Sequence, residues 1–204
     1  MRLEKYINSR YCTTALLLTV LAGCAGRPVK QLAVDNARWQ MRQSQLSAIH
    51  HWTASGRIAI RDEVTGWTAS YEWQQSPDSY DIQLRGPLGY GVMQLIGSDQ
   101  RVELRQAGKT ALYSASAEQL LVEQTGWQLP VEGLRYWILG LPRPDSDEQH
   151  QLNDEAALDT LHQDGWKISY SRYKEVKNHW LPGKITLTQA DLSVKLLVDA
   201  WKLE

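Results

Sequence analysis

Cys24 is the residue whose surroundings fix a chemistry most narrowly. It stands directly behind Leu21-Ala22-Gly23, at the end of the apolar run from Ala15 to Leu21. That run follows a basic start with Arg2, Lys5 and Arg10 against Glu4. A basic region, a short apolar region and a small-residue cleavage site, in that order, make a secretory signal. The cysteine turns the signal into a lipobox, in which the thiol is acylated and the chain is cut in front of it. Residues 1–23 are therefore expected to be a lipoprotein signal peptide, 24–30 a lipidated tether and 31–204 a single domain. The apolar run is far shorter than the roughly 20 residues that span a bilayer, so the expected attachment is an anchor and not a span. Cys12, the other cysteine, lies within the signal, which leaves the mature chain no disulfide to form.

Other side chains capable of chemistry do not assemble into a constellation. His50, His51, His150, His162 and His179 are scattered, and no carboxylate or cysteine stands at ligand spacing beside the His50-His51 pair, so no metal is expected. Asp145, Asp147, Glu148, Asp154 and Glu155 have the composition of a calcium loop but not its spacing. Neither a Gly-x-Ser-x-Gly elbow nor a phosphate loop is present. Gly86-Pro87-Leu88-Gly89-Tyr90-Gly91 is glycine-rich, but its proline and its place between two strand patterns exclude a dinucleotide fingerprint. No enzyme and no cofactor are expected. The segment matters for another reason: it sets Leu88 and Tyr90 in a turn, where polar tips are usual. An apolar tip either tucks into the core or meets something apolar outside.

Composition narrows the partners. The net charge is −1, and the signal accounts for +2 (three basic residues, one acidic), so the remainder carries about −3. Without a basic run, nucleic acid is not an expected partner. Nine Trp, nine Tyr and no Phe give an aromatic set in which large apolar bodies carry polar tips.

The positioning elements follow from periodicity. Val29, Leu32, Trp39 and Leu46 recur at helical spacing, which predicts a helix from Val29 to about Ile49. From Trp52 the period becomes two. Ile58 and Ile60 alternate with arginines; Trp67, Ala69, Tyr71 and Trp73 alternate with polar residues; so do Tyr80, Ile82 and Leu84, then Val102 and Leu104, with an apolar run from Val92 to Ile96 between them. Close turns between these runs argue an antiparallel meander of five strands. Ser116-Ala117-Glu118-Gln119 has capping-box spacing and opens a short helix that stops near Gly126. Leu134, Trp137 and Ile138 mark a second, ended by Gly140 and Pro142, and residues 143–155 read as a polar loop. At least three more strands follow, around Trp166–Tyr170, Ile185–Leu187 and Leu192–Val198. The expected class is mainly β within α+β. A sheet this size curls toward a barrel or splits into a sandwich, and helices laid over its open side leave either a lined cavity or a filled core.

Several stretches together resemble the LolB family of outer-membrane lipoprotein receptors. They are Gly56-Arg57-Ile58, Tyr71-x-Trp73-Gln74, Pro87-Leu88-Gly89, Leu134-Arg135-x-Trp137-Ile138-Leu139-Gly140-Leu141-Pro142, Gly165-Trp166-x-Ile168-x-Tyr170-x-x-Tyr173 and Leu181-Pro182. They run in the family's order, behind the lipobox, across most of the mature chain. The resemblance implies an incomplete antiparallel barrel with helices as a lid over a hydrophobic cavity. It implies a monomeric receptor, without cofactor, that takes lipoproteins from a LolA-like periplasmic carrier by their acyl chains and places them in the inner leaflet of the outer membrane. It implies that Leu88, with Pro87 and Tyr90, forms a protruding membrane-insertion loop. Trp67, Tyr71, Trp73, Ile82, Leu84, Trp137 and Ile138 are the expected cavity residues. Ala25 behind the lipidated cysteine, where Asp would retain an enterobacterial lipoprotein in the inner membrane, fits an outer-membrane address. A competing expectation is a lipid-anchored assembly or structural protein that binds a protein partner and has a filled interior.

Overall fold

Inward-facing side chains at every second position build one long antiparallel sheet. The computed structural model describes residues 29–87, 91–98 and 101–204, with side chains from residue 34 onward. The expected signal peptide, Cys24, Leu88 and Tyr90 lie outside the described residues. The chain opens with α1 (Val29–Ser47), so the last two residues of the expected tether are already helical. A meander follows: β1 (Trp52–Arg61), β2 (Gly66–Ser76), β3 (Ser79–Arg85), β4 (Met93–Ser98), β5 (Arg101–Gln106) and β6 (Leu112–Ser114). Two short helices, α2 (Ala117–Thr125) and α3 (Val131–Trp137), interrupt the strands. The second run comprises β7 (Glu148–Leu152), β8 (Leu158–Gln163), β9 (Trp166–Ser171), β10 (Lys174–Val176), β11 (His179–Leu181), β12 (Lys184–Gln189) and β13 (Leu192–Leu203).

Eleven strands form a single sheet in the order β6-β5-β4-β3-β2-β1-β13-β12-β9-β8-β7, with β10 and β11 a separate hairpin. The first and last strands of the domain join the two runs: β1 pairs with β13 along its whole length. The register shifts between Ser55 and Gly56, which leaves Asp199 as the extra residue of a bulge. Gly56 is required there, because a β-carbon would collide with the Leu197 carbonyl oxygen. The strands β6 and β7 are the two edges and do not pair with each other, so the sheet is curved but not closed.

The helices cover the concave side. Trp39 and Leu46 of α1 are buried, and the Trp39 ring packs on His150 of β7 with centroids 5.4 Å apart. Arg42 donates to the carbonyls of Glu155 and Trp180 at 3.1 and 3.3 Å, fastening α1 over the C-terminal strands. At α2 the Ser116 hydroxyl accepts from the Gln119 N–H at 3.3 Å, and Gly126 ends the helix in the left-handed conformation at φ 78°. The reciprocal half of the capping box is not made. The Gln119 side chain turns along the helix to Glu123 at 2.9 Å, while Ser116 donates to Glu118.

Three expectations need correction. Residues 143–155 are not all loop, because β7 lies within them as a polar edge strand. An edge strand exposed on much of its surface needs no apolar alternation, so its sequence gives no strand signal. β8 was not expected either. Its buried residues Leu158 and Leu161 are three apart, and pairing explains why: Leu158 faces Leu152 and Thr160 faces Gln151, so Asp159 is bulged out and the period of two is broken. The three-residue β6 makes the first meander six-stranded.

Candidate functional site

Covering a sheet with helices need not fill the space beneath them. A polar pocket of about 370 Å³ lies beside Arg42 of α1, whereas around α3, over the C-terminal strands, the space is filled. Trp137 and Ile138 are fully buried there, and the Trp137 indole N–H donates to Gln163 Oε1 at 2.8 Å. Gln163 is itself buried, and it also accepts from the Arg143 N–H at 2.8 Å and donates to the Arg143 carbonyl at 2.9 Å. An indole that needs a buried polar partner is held where that partner lies. These contacts place Trp137 and Ile138 in the packed core and not on a cavity wall, against the expectation for both.

Over the N-terminal strands a cavity of about 490 Å³ remains. Its floor is the inward face of β1 to β4, where Trp67, Tyr71, Trp73, Ile82 and Leu84 all stand on the wall. Ile58, Ile60, Met93 and Leu95 complete that surface. The roof is Leu121 of α2, Val131 and Leu134 of α3 and the extended link between the helices, which turns Trp127 and Leu129 downward. Sequence reading missed this link, although Trp127, Leu129 and Val131 alternate with Gln128 and Pro130 in the manner of a strand. Exposed residues ring one side of the cavity: Gly91 and Val92 from the β3–β4 connection, Ala107 and Lys109 from the β5–β6 connection, and Gln124. The cavity meets solvent there. Pro87 is exposed at the start of the β3–β4 connection.

Two tryptophans stand at this mouth. The rings of Trp67 and Trp127 are tilted by 44° with centroids 5.6 Å apart. Trp67 follows the β1–β2 turn directly. Asp62 accepts from the N–H groups of Val64 and Thr65 at 2.9 and 2.6 Å and from the Thr65 hydroxyl at 2.8 Å. These bonds, with Thr65 foremost and the Trp127 side chain among them, keep the Asp62 carboxyl below the ordinary carboxylate range.

Electrostatically the wall is almost blank. Among the described residues, Tyr71 and Lys109 are the only ionisable side chains that line it, and Lys109 is at the exposed rim. Burial pushes the Tyr71 phenol far above its usual pKa, so it stays neutral. The one lining hydroxyl of α2, Thr125, is spent on the Leu121 carbonyl at 2.6 Å. No group of three or more metal-ligating side chains occurs among the described residues. Such a surface suits one task, which is to keep water away from an apolar ligand.

The comparisons with known proteins agree on one family. The model of the outer membrane lipoprotein LolB family matches residues 50–201. Outer-membrane lipoprotein LolB of Pseudomonas putida (strain W619) is 40% identical over 196 residues, covering 95% of this chain and 96% of that protein. Its counterpart from Pseudomonas aeruginosa (strain LESB58) is 38% identical over the same length, with the same coverage. Among solved structures, a LolA superfamily protein from Nitrosomonas europaea superposes with a TM-score of 0.56 at 9% identity, covering 81% of this chain and 93% of that one. A putative outer membrane lipoprotein-sorting protein domain from Vibrio parahaemolyticus gives 0.55 at 8% identity, covering 82% and 91%. At these identities the two structures speak for the fold alone.

Proposed function

Because the chain belongs to the LolB family of outer-membrane lipoproteins, we propose that its cavity is the acceptor site for acyl chains handed over by a soluble LolA-like carrier. The protein is lipid-anchored in the outer membrane and faces the periplasm. It receives lipoproteins and inserts them into the inner leaflet. The observation that carries this reading is the apolar, nearly uncharged cavity of about 490 Å³ with a single-sided mouth. An open interior of this kind supports an acyl acceptor over an assembly protein, whose sheet would be filled.

The energetics require such a shelter. A triacylated client has roughly 40 methylenes, and each costs about 0.8 kcal/mol to expose to water. The sum, tens of kcal/mol, forbids free diffusion. Transfer runs downhill, from a weaker acyl site to a stronger one and then to the bilayer. Size sets a further condition. A methylene takes up about as much space as a water molecule, some 30 Å³, so the cavity in this conformation holds about sixteen of them. That is one chain of three, and the other two need a wider cavity or the leaflet itself. Trp67, Tyr71, Trp73, Ile82 and Leu84 are the residues that would touch the chain. Leu88, in the connection that leads to the mouth, would dip into the leaflet and open a route for it.

The test mixes the unlipidated mature chain with a carrier loaded with a labelled triacylated lipoprotein, without nucleotide. Pull-down is expected to find the label on this protein. A Leu88→Glu variant is expected to take the label equally well and then fail to pass it to vesicles. Label that stays on the carrier while this chain is folded defeats the acceptor reading. Normal delivery by Leu88→Glu defeats the role of the loop.

A further inference from the structure

The convex face of the sheet has a charge distribution at odds with the chain as a whole. Strand register places outward side chains in rows. One row runs Arg85, Ser70, Arg57, Leu197, Lys184, Ser171. The next runs Thr68, Ala59, Lys195, Thr186, Ser169, and the third Gly66, Arg61, Ser193, Thr188, Lys167. These rows carry six cations and no carboxylate, on a chain whose net charge is −1. The nearest carboxylates lie off the rows. Glu72, one step beyond Ser70 on the same face of β2, accepts from the Gln74 side chain at 3.0 Å. Asp199, at the bulge, holds Arg57 at 3.2 and 3.3 Å. Asp62 and Glu63 are on the β1–β2 turn, where Asp62 is taken up by the turn itself, and Asp191 is on the β12–β13 turn.

Part of this face is a groove of about 440 Å³, lined by Arg57, Arg85 and Lys195 with Thr68 and Ser70 between them. Adjacent strands lie about 4.8 Å apart, so the bases of Arg57 and Arg85, two strands apart, are about 10 Å from each other. Long side chains on that spacing have the reach to meet at a group the size of a phosphate, Arg85 by leaving the Gln83 side chain to which it donates at 3.1 Å. Asp199 fixes the Arg57 guanidinium, whereas Lys195 has no ion-pair partner among the described residues. The groove ends at Gly86 and Pro87, where the β3–β4 connection begins, and the same connection ends at Gly91 and Val92 on the cavity mouth. An anion held in the groove would lie beside the mouth.

We propose that this groove binds the anionic phosphate headgroup of a phospholipid in the leaflet to which the protein is anchored, and so turns the cavity mouth onto the bilayer. A flexible tether by itself leaves the domain free to face any direction, and a cationic face on one side removes that freedom. The inference rests on the membrane-anchored location and not on the acceptor step, so the two fail separately.

The test uses the full lipidated chain in vesicles of phosphatidylethanolamine, with or without phosphatidylglycerol. Val64 at the tip of the β1–β2 turn is 90% exposed. Cys12 and Cys24 are the only cysteines, the first in the signal and the second acylated, so Val64→Cys accepts a fluorophore selectively. Quenching by headgroup-spin-labelled lipid is expected to be strong with phosphatidylglycerol and weak without it. Each cation near an anionic surface strengthens the attraction about fivefold. The Arg85→Gln/Lys195→Gln variant, altered only at exposed side chains, should therefore lower the ratio of membrane-facing to turned-away protein about twentyfold. Inorganic phosphate at matched ionic strength should leave the quenching unchanged. Abolition by phosphate would make the groove a small-anion site and overturn the headgroup assignment. Equal quenching in both vesicle types would overturn it too, as would a double variant that behaves like its parent. Carrier protection of the label that is lost in the variant, with vesicle contact unaltered, would assign the face to a protein and overturn it as well.

Discussion

The two halves of the concave face are written in the same alphabet and end differently. In the C-terminal half, Leu158, Leu161, Ile168 and Ile185 are completely buried, sealed by the neighbouring helices and by Trp137. In the N-terminal half, Ile58 and Ile82 keep 8% and 9% of their surface, and Trp67 and Leu84 are only half-buried. Both halves alternate apolar and polar residues, and both draw on large side chains. What separates them is the cover. One half meets helices whose side chains reach the sheet, and the other is bridged by α2 and an extended link that arches over it. Alternation decides which way a side chain points, and the element above decides whether it finds a neighbour.

The sharpest way to break this comparison is to truncate one residue in each half. Leu161→Ala should lower stability by about 3–4 kcal/mol in urea unfolding, because it opens a void in a closed core. Ile82→Ala should lose about 2 kcal/mol, the transfer of its three carbons alone, since that side chain already borders a void. Equal losses would mean that the N-terminal half is filled in solution. A smaller effect on stability, with a larger one on binding, is expected from Leu84→Trp. Its added bulk projects into empty space, so unfolding should shift by less than about 1 kcal/mol in either direction, while uptake of a fluorescent fatty-acyl probe falls at least about tenfold. Retained uptake would place the ligand elsewhere. The smallest effect concerns the β1–β2 turn. The carboxyl of Asp62 has a folded pKa below its ordinary 3.8, so its contribution is present above that value and is lost as pH falls toward the lower, folded one. Asp62→Asn should therefore flatten the acid dependence of the melting temperature below 3.8 and alter tryptophan emission from the mouth. Acid curves that superpose would show that the turn's hydrogen bonds to the Asp62 carboxyl add nothing to stability.

Much of this architecture was readable in advance, for identifiable reasons. β1 to β3 present one apolar and one polar face to different surroundings, and their period of two is clean. Ser116 and Gly126 mark the ends of α2 through local bonds that need no tertiary help. The wall residues Trp67, Tyr71, Trp73, Ile82 and Leu84 could be picked out because inward direction is a local property. Whether an inward residue meets space or another side chain is not local, which is why Trp137 and Ile138 were grouped with them. Nothing near Trp137 in sequence announces that Gln163, on a distant strand, will claim its indole. β7 and β8 escaped for complementary reasons: β7 has too little to bury, and Asp159 puts the buried residues of β8 out of phase. The basic rows of the convex face were equally hidden. Their six cations are spread over five strands, so no window of sequence contains a cationic run.

The unpaired ends of the sheet bear on how much this molecule can carry. A closed barrel is a hoop, and its girth is fixed by strand number and shear, so widening it means breaking a ladder of hydrogen bonds. Here β6 and β7 do not meet, and no ladder runs around the full circumference. The sheet behaves like a split ring. Its girth can grow by unrolling, while every strand keeps the partners it has, and the resistance comes from side chains in the roof. The 490 Å³ of the cavity is therefore a resting volume. An occupant larger than this volume would have to widen the split ring.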